Sequence, residues 1–185
     1  MSKLFIPIIE GTTRPTRLSM HVTSYIHSLV NQYEDVESQV IDPGQFTLPY
    51  DGNDDDCRDP RYSEITARAD AFFIVVPEYN HSFPGSLKRL LDSESKNYIH
   101  KPVAFAGVTS GPWGGTRGVE ALVTAVREMG LIATFTDVQF PHVQKLFSET
   151  GEILDPAYEA RVKKSYTELI WMAKTLKWGR ENLKV

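Results

Sequence analysis

Leu4-Phe5-Ile6-Pro7-Ile8-Ile9-Glu10-Gly11-Thr12-Thr13-Arg14-Pro15-Thr16-Arg17-Leu18-Ser19 is the stretch that decides the fold. Leu4 to Ile9 is apolar at consecutive positions, the pattern of a strand covered on both faces in a parallel sheet. Pro7 donates no hydrogen bond and sits awkwardly in a central strand. From Leu18 onward, Leu18, Val22, Ile26, Leu29 and Val30 recur on one stripe of a helix. Strand, tight loop and helix together aim free backbone N–H groups at an anion. Thr12, Thr13 and Ser19 add hydroxyls to that loop, and Arg14 and Arg17 add guanidiniums. The loop has neither the G-x-x-x-x-G-K-[ST] nor the G-x-G-x-x-G spacing. Its composition suits one terminal phosphate held by hydroxyls, N–H groups and a charge-assisted arginine fork. An ordinary polar turn with solvated arginines is the alternative.

Outward from this stretch, the apolar periods alternate. Val36 to Ile41 reads as a second strand, stopped by Asp42-Pro43-Gly44. Gln45 to Asp59 is acidic, proline-bearing and expected as an exposed loop, and Asp59-Pro60 caps a short helix over 61–68. Ala71-Phe72-Phe73-Ile74-Val75-Val76 is the strongest strand, continuous and β-branched. A helix follows over about 84–93, then a fourth strand at Val103 to Val108, a helix from Val119 to Met129, a fifth strand at Leu131 to Val138, and a last helix over about 156–177. Trp171 and Trp178 on that helix are expected in a core or an interface. The order βαβαβαβαβα calls for right-handed crossovers and a three-layer α/β sandwich. Five strands favour the flavodoxin-like sheet order 2-1-3-4-5. With 185 residues and no repeat or composition shift, a single domain over 1–185 is expected.

The net charge of −4 is mild and speaks against a nucleic-acid binder, which would carry a basic face. No apolar run approaches the roughly 20 residues of a membrane span, and no signal-peptide pattern opens the chain. One cysteine, Cys57, forms no intrachain disulfide. A soluble, cytoplasmic protein is the expectation. Cys57 is expected in an exposed acidic setting, as an inert thiol. The run Asp54-Asp55-Asp56 misses the EF-hand spacing, and the histidines show no metal-ligand spacing, so no metal is expected.

In an open parallel sheet, ligands bind beyond the carboxyl ends of the strands. Three loops fall there, and they are the chemically unusual ones. The second, Pro77-Glu78-Tyr79-Asn80, offers a rigid turn, an aromatic plane and an amide against which a flat heterocycle could lie. The third, Thr109 to Thr116, is glycine-rich, and small residues let a backbone approach a ring closely.

Taken together, Gly11-Thr12-Thr13-Arg14-x-x-Arg17-x-Ser19, Pro77-Glu78-Tyr79-Asn80-x-x-x-Pro84-Gly85-x-Leu87-Lys88-x-x-x-Asp92 and Ser110-Gly111-x-x-Gly114-Gly115 resemble the NAD(P)H-dependent FMN reductase family, which includes quinone, azo-dye and chromate reductases. The resemblance implies a flavodoxin-like fold holding FMN non-covalently and reduced by NADPH or NADH. It places Thr12, Arg14, Arg17 and Ser19 on the phosphate, Pro77, Glu78, Tyr79 and Asn80 along the isoalloxazine, and Ser110, Gly111 and Gly115 near the ring. It also implies a homodimer or homotetramer and a small-molecule electron acceptor such as a quinone, azo compound, metal oxyanion or free flavin. Three positions depart from the pattern: Thr12 stands conservatively where many members have serine, His81 stands where many have glycine, and Trp113 is bulky in a loop that is often small. With the cofactor carrying the hard chemistry, no side chain is an obligatory acid or base. Tyr79, Asn80 and His81 are the candidates for shaping the acceptor side. The alternatives are a flavin-binding electron carrier with no nicotinamide reaction of its own, and a sensor of some other phosphate ligand.

Overall fold

Pro7 splits the first apolar run. The computed structural model describes residues 3–184, and in it β1 (Leu4–Phe5) and β2 (Ile8–Glu10) are separate segments, because the proline nitrogen carries no hydrogen for the ladder. The chain stays extended through the break. The Ile6 and Ile8 N–H groups donate to the carbonyls of Glu37 and Gln39, and the Phe73 N–H donates to the Pro7 carbonyl. The partner strand is split in step, into β3 (Val36–Glu37) and β4 (Val40–Ile41).

β5 (Phe72–Pro77) and β6 (Pro102–Val108) are unbroken and buried along their whole length. The expected fifth strand is two segments, β7 (Ile132–Ala133) and β8 (Val138–Phe140), both pairing with β6. Between them the polar stretch 134–137 leaves the sheet, and Phe135 is 95% exposed. The main sheet runs β4-β2-β5-β6, with β7 and β8 on the outer edge of β6, and its pairings are parallel. Five strand positions are therefore occupied by eight short segments.

Because successive side chains of a strand point to opposite faces, β5 feeds two cores. Phe73 and Val75 join Ile8, Ala104 and Ala106 under α1 (Ser19–Val30) and α5 (Ala157–Asn182). Phe72, Ile74 and Val76 join Ile9, Ile41 and Phe105 under α2 (Pro60–Arg68), α3 (Gly85–Asp92) and α4 (Thr116–Glu128). Each of the larger side chains, Val, Ile or Phe, contributes about 1.5–3 kcal/mol by leaving water. The result is a flavodoxin-like three-layer α/β arrangement. In the second core the Tyr62 and Tyr98 hydroxyls, both fully buried, hydrogen-bond to each other at 2.8 Å, which satisfies two groups that would otherwise be stranded.

One local expectation is corrected: Cys57 is buried rather than exposed. The acidic run coils into a 3-10 turn over Asp55–Cys57, and the Cys57 thiol donates to the Asp51 carbonyl at 3.4 Å. Trp171 and Trp178 project from α5 at 66% and 59% exposure, outside both cores. The Asp59 cap is present: its carboxylate accepts from the Arg61 and Thr47 N–H groups. The Arg61 guanidinium beside it holds that carboxyl well below the usual range.

Candidate functional site

β2, β5 and β6 lie side by side, so their carboxyl ends bring three loops to one rim. The loops enclose an open cleft of about 240 Å³. That is below the roughly 300–1,000 Å³ of a complete small-molecule pocket, so a ligand seated here extends over the rim. From the first loop Thr12, Arg14, Arg17 and Ser19 line the cleft. Pro77, Glu78 and Tyr79 line it from the second, and Val108, Thr109 and Ser110 from the third. Thr13 is exposed and off the wall.

The first two loops are tied together directly. Thr12 Oγ1 and the Tyr79 hydroxyl hydrogen-bond at 3.2 Å across the strands. Gly11 permits that approach. A Cβ there would lie 2.2 Å from the Val75 carbonyl oxygen and 2.6 Å from Pro77 Cδ. The first helical turn of α1 opens onto the cleft without a capping side chain, and beyond the His21 N–H, which donates to the Leu18 carbonyl, its Ser19 and Met20 N–H groups and the positive end of the helix dipole are left for an anion.

The two arginines differ. Arg14 is exposed and makes no ion pair among the described residues. Arg17 is anchored: Nη2 pairs with Asp42, Nη1 donates to the Arg14 carbonyl at 3.2 Å, and Nε lies 3.7 Å from Glu10 Oε1. The buried Nε has no hydrogen-bond partner among the described residues. Arg17 thus shapes the loop as well as charging it.

Glu10 was not legible as a site residue. It closes the apolar run, is fully buried beneath the loop, and accepts from the Ser19 and Thr23 hydroxyls, each at 2.5 Å. Burial pushes its carboxyl above the ordinary value, while Ser19, Thr23 and Arg17 pull it down. The available signal was the four-residue spacing of Ser19 and Thr23, which puts two hydroxyls on one helix face.

Asn80 and His81 do not line the cleft. They form the tip of a tight hairpin closed by reciprocal hydrogen bonds between Tyr79 and Ser82. Both tip residues have positive φ, 51° and 64°, as a type I′ turn requires. The histidine departure from glycine therefore sits at a left-handed position. Arg117, at the start of α4, braces the turn. Its Nη2 pairs with buried Glu78, and its Nη1 lies 2.7 Å from His81 Nε2, which must then accept. Arg117 too was missed, because only the fold brings it to the second loop.

Gly111 and Gly115 are also off the wall. Gly115 has φ 82°, and a Cβ there would strike the β6 backbone at Gly107 and Val108. Its smallness serves loop-on-strand packing. Trp113 is 64% exposed beside this loop. Among the described residues no group of three or more His, Cys, Asp and Glu could hold a metal ion, and no helix is long and apolar enough to cross a membrane.

Residues 6–144, which contain all three loops, match the family model described as NADPH-dependent FMN reductase. The chain belongs to this family. Within reach of it, an NADPH azoreductase of Bacillus sp. strain OY1-2 is 27% identical over 161 residues, covering 84% of this chain and 87% of that protein. A quinone reductase of Pseudomonas putida is 31% identical over 105 residues, covering 51% of this chain and 54% of that protein. Among solved structures, the flavoenzyme NAD(P)H:(acceptor) oxidoreductase FerB of Paracoccus denitrificans superposes with a TM-score of 0.72 at 18% identity, covering 92% of this chain and 98% of that one. That likeness establishes the fold.

Proposed function

We propose that the chain is an oxidoreductase that holds FMN in this cleft, takes hydride from NADPH or NADH, and reduces a small acceptor. The single observation that carries the reading is the convergence of the three loops on one cleft, with Thr12 and Tyr79 bonded across it. The residues present fit the cofactor. An uncapped helix start, two hydroxyls and an unpaired arginine suit a phosphate. The rigid Pro77–Tyr79 segment suits a flat ring extending over the rim. Bound FMN supplies the redox-active ring.

The protein's part is binding and orientation. Arg14, Thr12, Ser19 and the α1 N–H groups hold the phosphate, and Arg17 keeps their loop in register. Tyr79 separates the phosphate end from the ring end and is held in place by Thr12. Pro77 and Glu78 border the ring, with Glu78 pinned by Arg117. Backbone groups of Ser110, and of Gly111 and Gly115 behind it, close the third side. Asn80 and His81 form the rim turn on the acceptor side. Quinones and azo compounds are the favoured acceptors, in keeping with the named activities of the related proteins. We further propose a single domain, working in the cytoplasm as a homodimer or homotetramer, the open rim being the side a second copy would cover.

The test is the visible spectrum of the purified protein before and after FMN addition, followed by NADPH oxidation with and without a quinone. Yellow protein with quinone-stimulated NADPH oxidation is expected. A protein that stays colourless with FMN would overturn the cofactor assignment, and one that binds FMN but leaves NADPH untouched would be a carrier.

A further inference from the structure

A buried carboxylate beneath a loop proposed to hold a phosphate is an electrostatic conflict. The Ser19 hydroxyl has one proton and donates it to Glu10 Oε1 at 2.5 Å; Thr23 donates to Oε2 at the same distance. While that arrangement holds, Ser19 has only lone pairs to offer the cleft it lines. The charge balance beneath the loop is also negative. Arg17 is the cation facing Glu10, at 3.7 Å, and it is shared with Asp42. The histidines of the same helix are engaged elsewhere, His21 stacked on Phe147 and His27 against Asn31 and the Ser38 carbonyl. Arg14 adds its charge at the open cleft and forms no ion pair with Glu10.

We infer that Glu10 is a positioning residue of the phosphate site: in its neutral form it donates to Ser19 Oγ, which turns the Ser19 proton toward the phosphate, so that phosphate binding takes up one proton from solvent at Glu10. The inference rests on the reading of this cleft as an FMN site. The step balances: a dianionic headgroup and one proton enter together, and no covalent bond other than the carboxyl O–H is formed. The starting point is favourable, because burial already raises the Glu10 carboxyl. A phosphate over the loop removes one of its two hydroxyl donors and adds negative charge nearby, and both changes raise it further. Between the free and bound values, affinity falls as pH rises; outside that window Glu10 adds no pH dependence.

The experiment is FMN binding between pH 6 and 9. Calorimetry in two buffers of different ionisation enthalpy gives the proton count, and flavin fluorescence gives the Kd. Glu10→Gln is the reference, because FMN carries the same phosphate titration in both proteins, with a second pKa near ~6. The wild type should take up as much as about one proton more than Glu10→Gln, with a Kd rising by up to about tenfold per pH unit within the window. Glu10→Gln should bind FMN more tightly than wild type at the alkaline end, because its amide donates to Ser19 Oγ as the neutral acid does. Riboflavin, which has no phosphate, should bring no extra proton. Equal proton counts in the two proteins, or weaker FMN binding by Glu10→Gln, would overturn the inference. If Glu10→Gln does not fold, the wild-type excess of FMN over riboflavin proton uptake above pH 7.5, on the order of one or near zero, decides it. Folded wild-type protein that binds no FMN at any pH would overturn the cofactor reading itself, whereas binding without proton uptake overturns only the role of Glu10.

Discussion

Gly11→Ala is the substitution whose effect follows most directly from the geometry. The new methyl would lie 2.2 Å from the Val75 carbonyl oxygen and 2.6 Å from Pro77 Cδ. Neither neighbour can rotate away: one is backbone of the central strand β5, the other a ring closed on its own main chain. The two strand ends must separate by about 1 Å to restore ordinary contact, an overpacking that costs ~1–3 kcal/mol. For a chain of this size each kcal/mol moves the melting temperature by about 2–4 °C, so a loss of about 4–8 °C is expected at the middle of that range. The same separation pulls the phosphate loop from the second loop and breaks the 3.2 Å bond between Thr12 and Tyr79. FMN affinity should therefore fall at least about tenfold, or ~1.4 kcal/mol. Gly179→Ala is the control. It lies within α5 with no atom within 4 Å of the new methyl, and should stabilise by about 0.5–1 kcal/mol. Thermal melts of the FMN-free proteins and flavin titrations measure both effects. A Gly11→Ala protein melting within about 2 °C of wild type, below the smallest loss expected at mid-range, with unchanged FMN affinity, would refute the close-approach reasoning.

Other consequences are separable from this one. Arg14→Ala removes an exposed cation with no ion pair among the described residues, so it should spare stability. It should weaken FMN binding by about 1.5–3 kcal/mol, roughly 10–150-fold, as judged by fluorescence titration. Tyr62→Phe leaves the fully buried Tyr98 hydroxyl without its partner and should cost ~1–3 kcal/mol in denaturant unfolding. Burial raises the Asp137 carboxyl from 3.8 to about 6, with Glu120 and Glu168 adding to the effect. The folded form then holds a proton that the unfolded form releases, so stability falls as pH rises from about 4 to 6. Asp137→Asn should flatten that fall and stabilise the protein at neutral pH by about 1 kcal/mol, after allowance for solvent screening; denaturant melts at both ends of the window measure it.

The parts of the fold that were legible in the sequence are those fixed by continuous apolar runs. Ala71 to Val76 could only be a strand buried on both faces, and it is the strand that feeds both cores. The strand interruptions were less legible. Pro7 announced its own break, but the departure of residues 134–137 from the sheet depends on β6 offering edge positions to two separate segments. Cys57 was misplaced because the acids beside it dominate the local composition, while the 3-10 turn that hides it is a tertiary matter. At the site, residues that line the cleft through local loop chemistry, such as Thr12, Arg14 and Ser19, could be read directly. Glu10 and Arg117 act through partners distant in sequence, at Ser19, Thr23, Glu78 and His81, and no local pattern marks them. The resemblance implies Asn80, Gly111 and Gly115 beside the ring and His81 on the acceptor side; none of the four lines the cleft, and positive φ at Asn80, His81 and Gly115 fixes the turns they occupy.

The most direct measurement is a crystal structure of the protein grown with FMN. The phosphate should lie against the α1 N-terminus within hydrogen-bond distance of Thr12 and Ser19, about 2.5–3.2 Å, with the isoalloxazine running along Pro77–Tyr79 toward Ser110. Flavin density elsewhere, or a headgroup held away from the loop after Gly11, would contradict the assignment of this cleft.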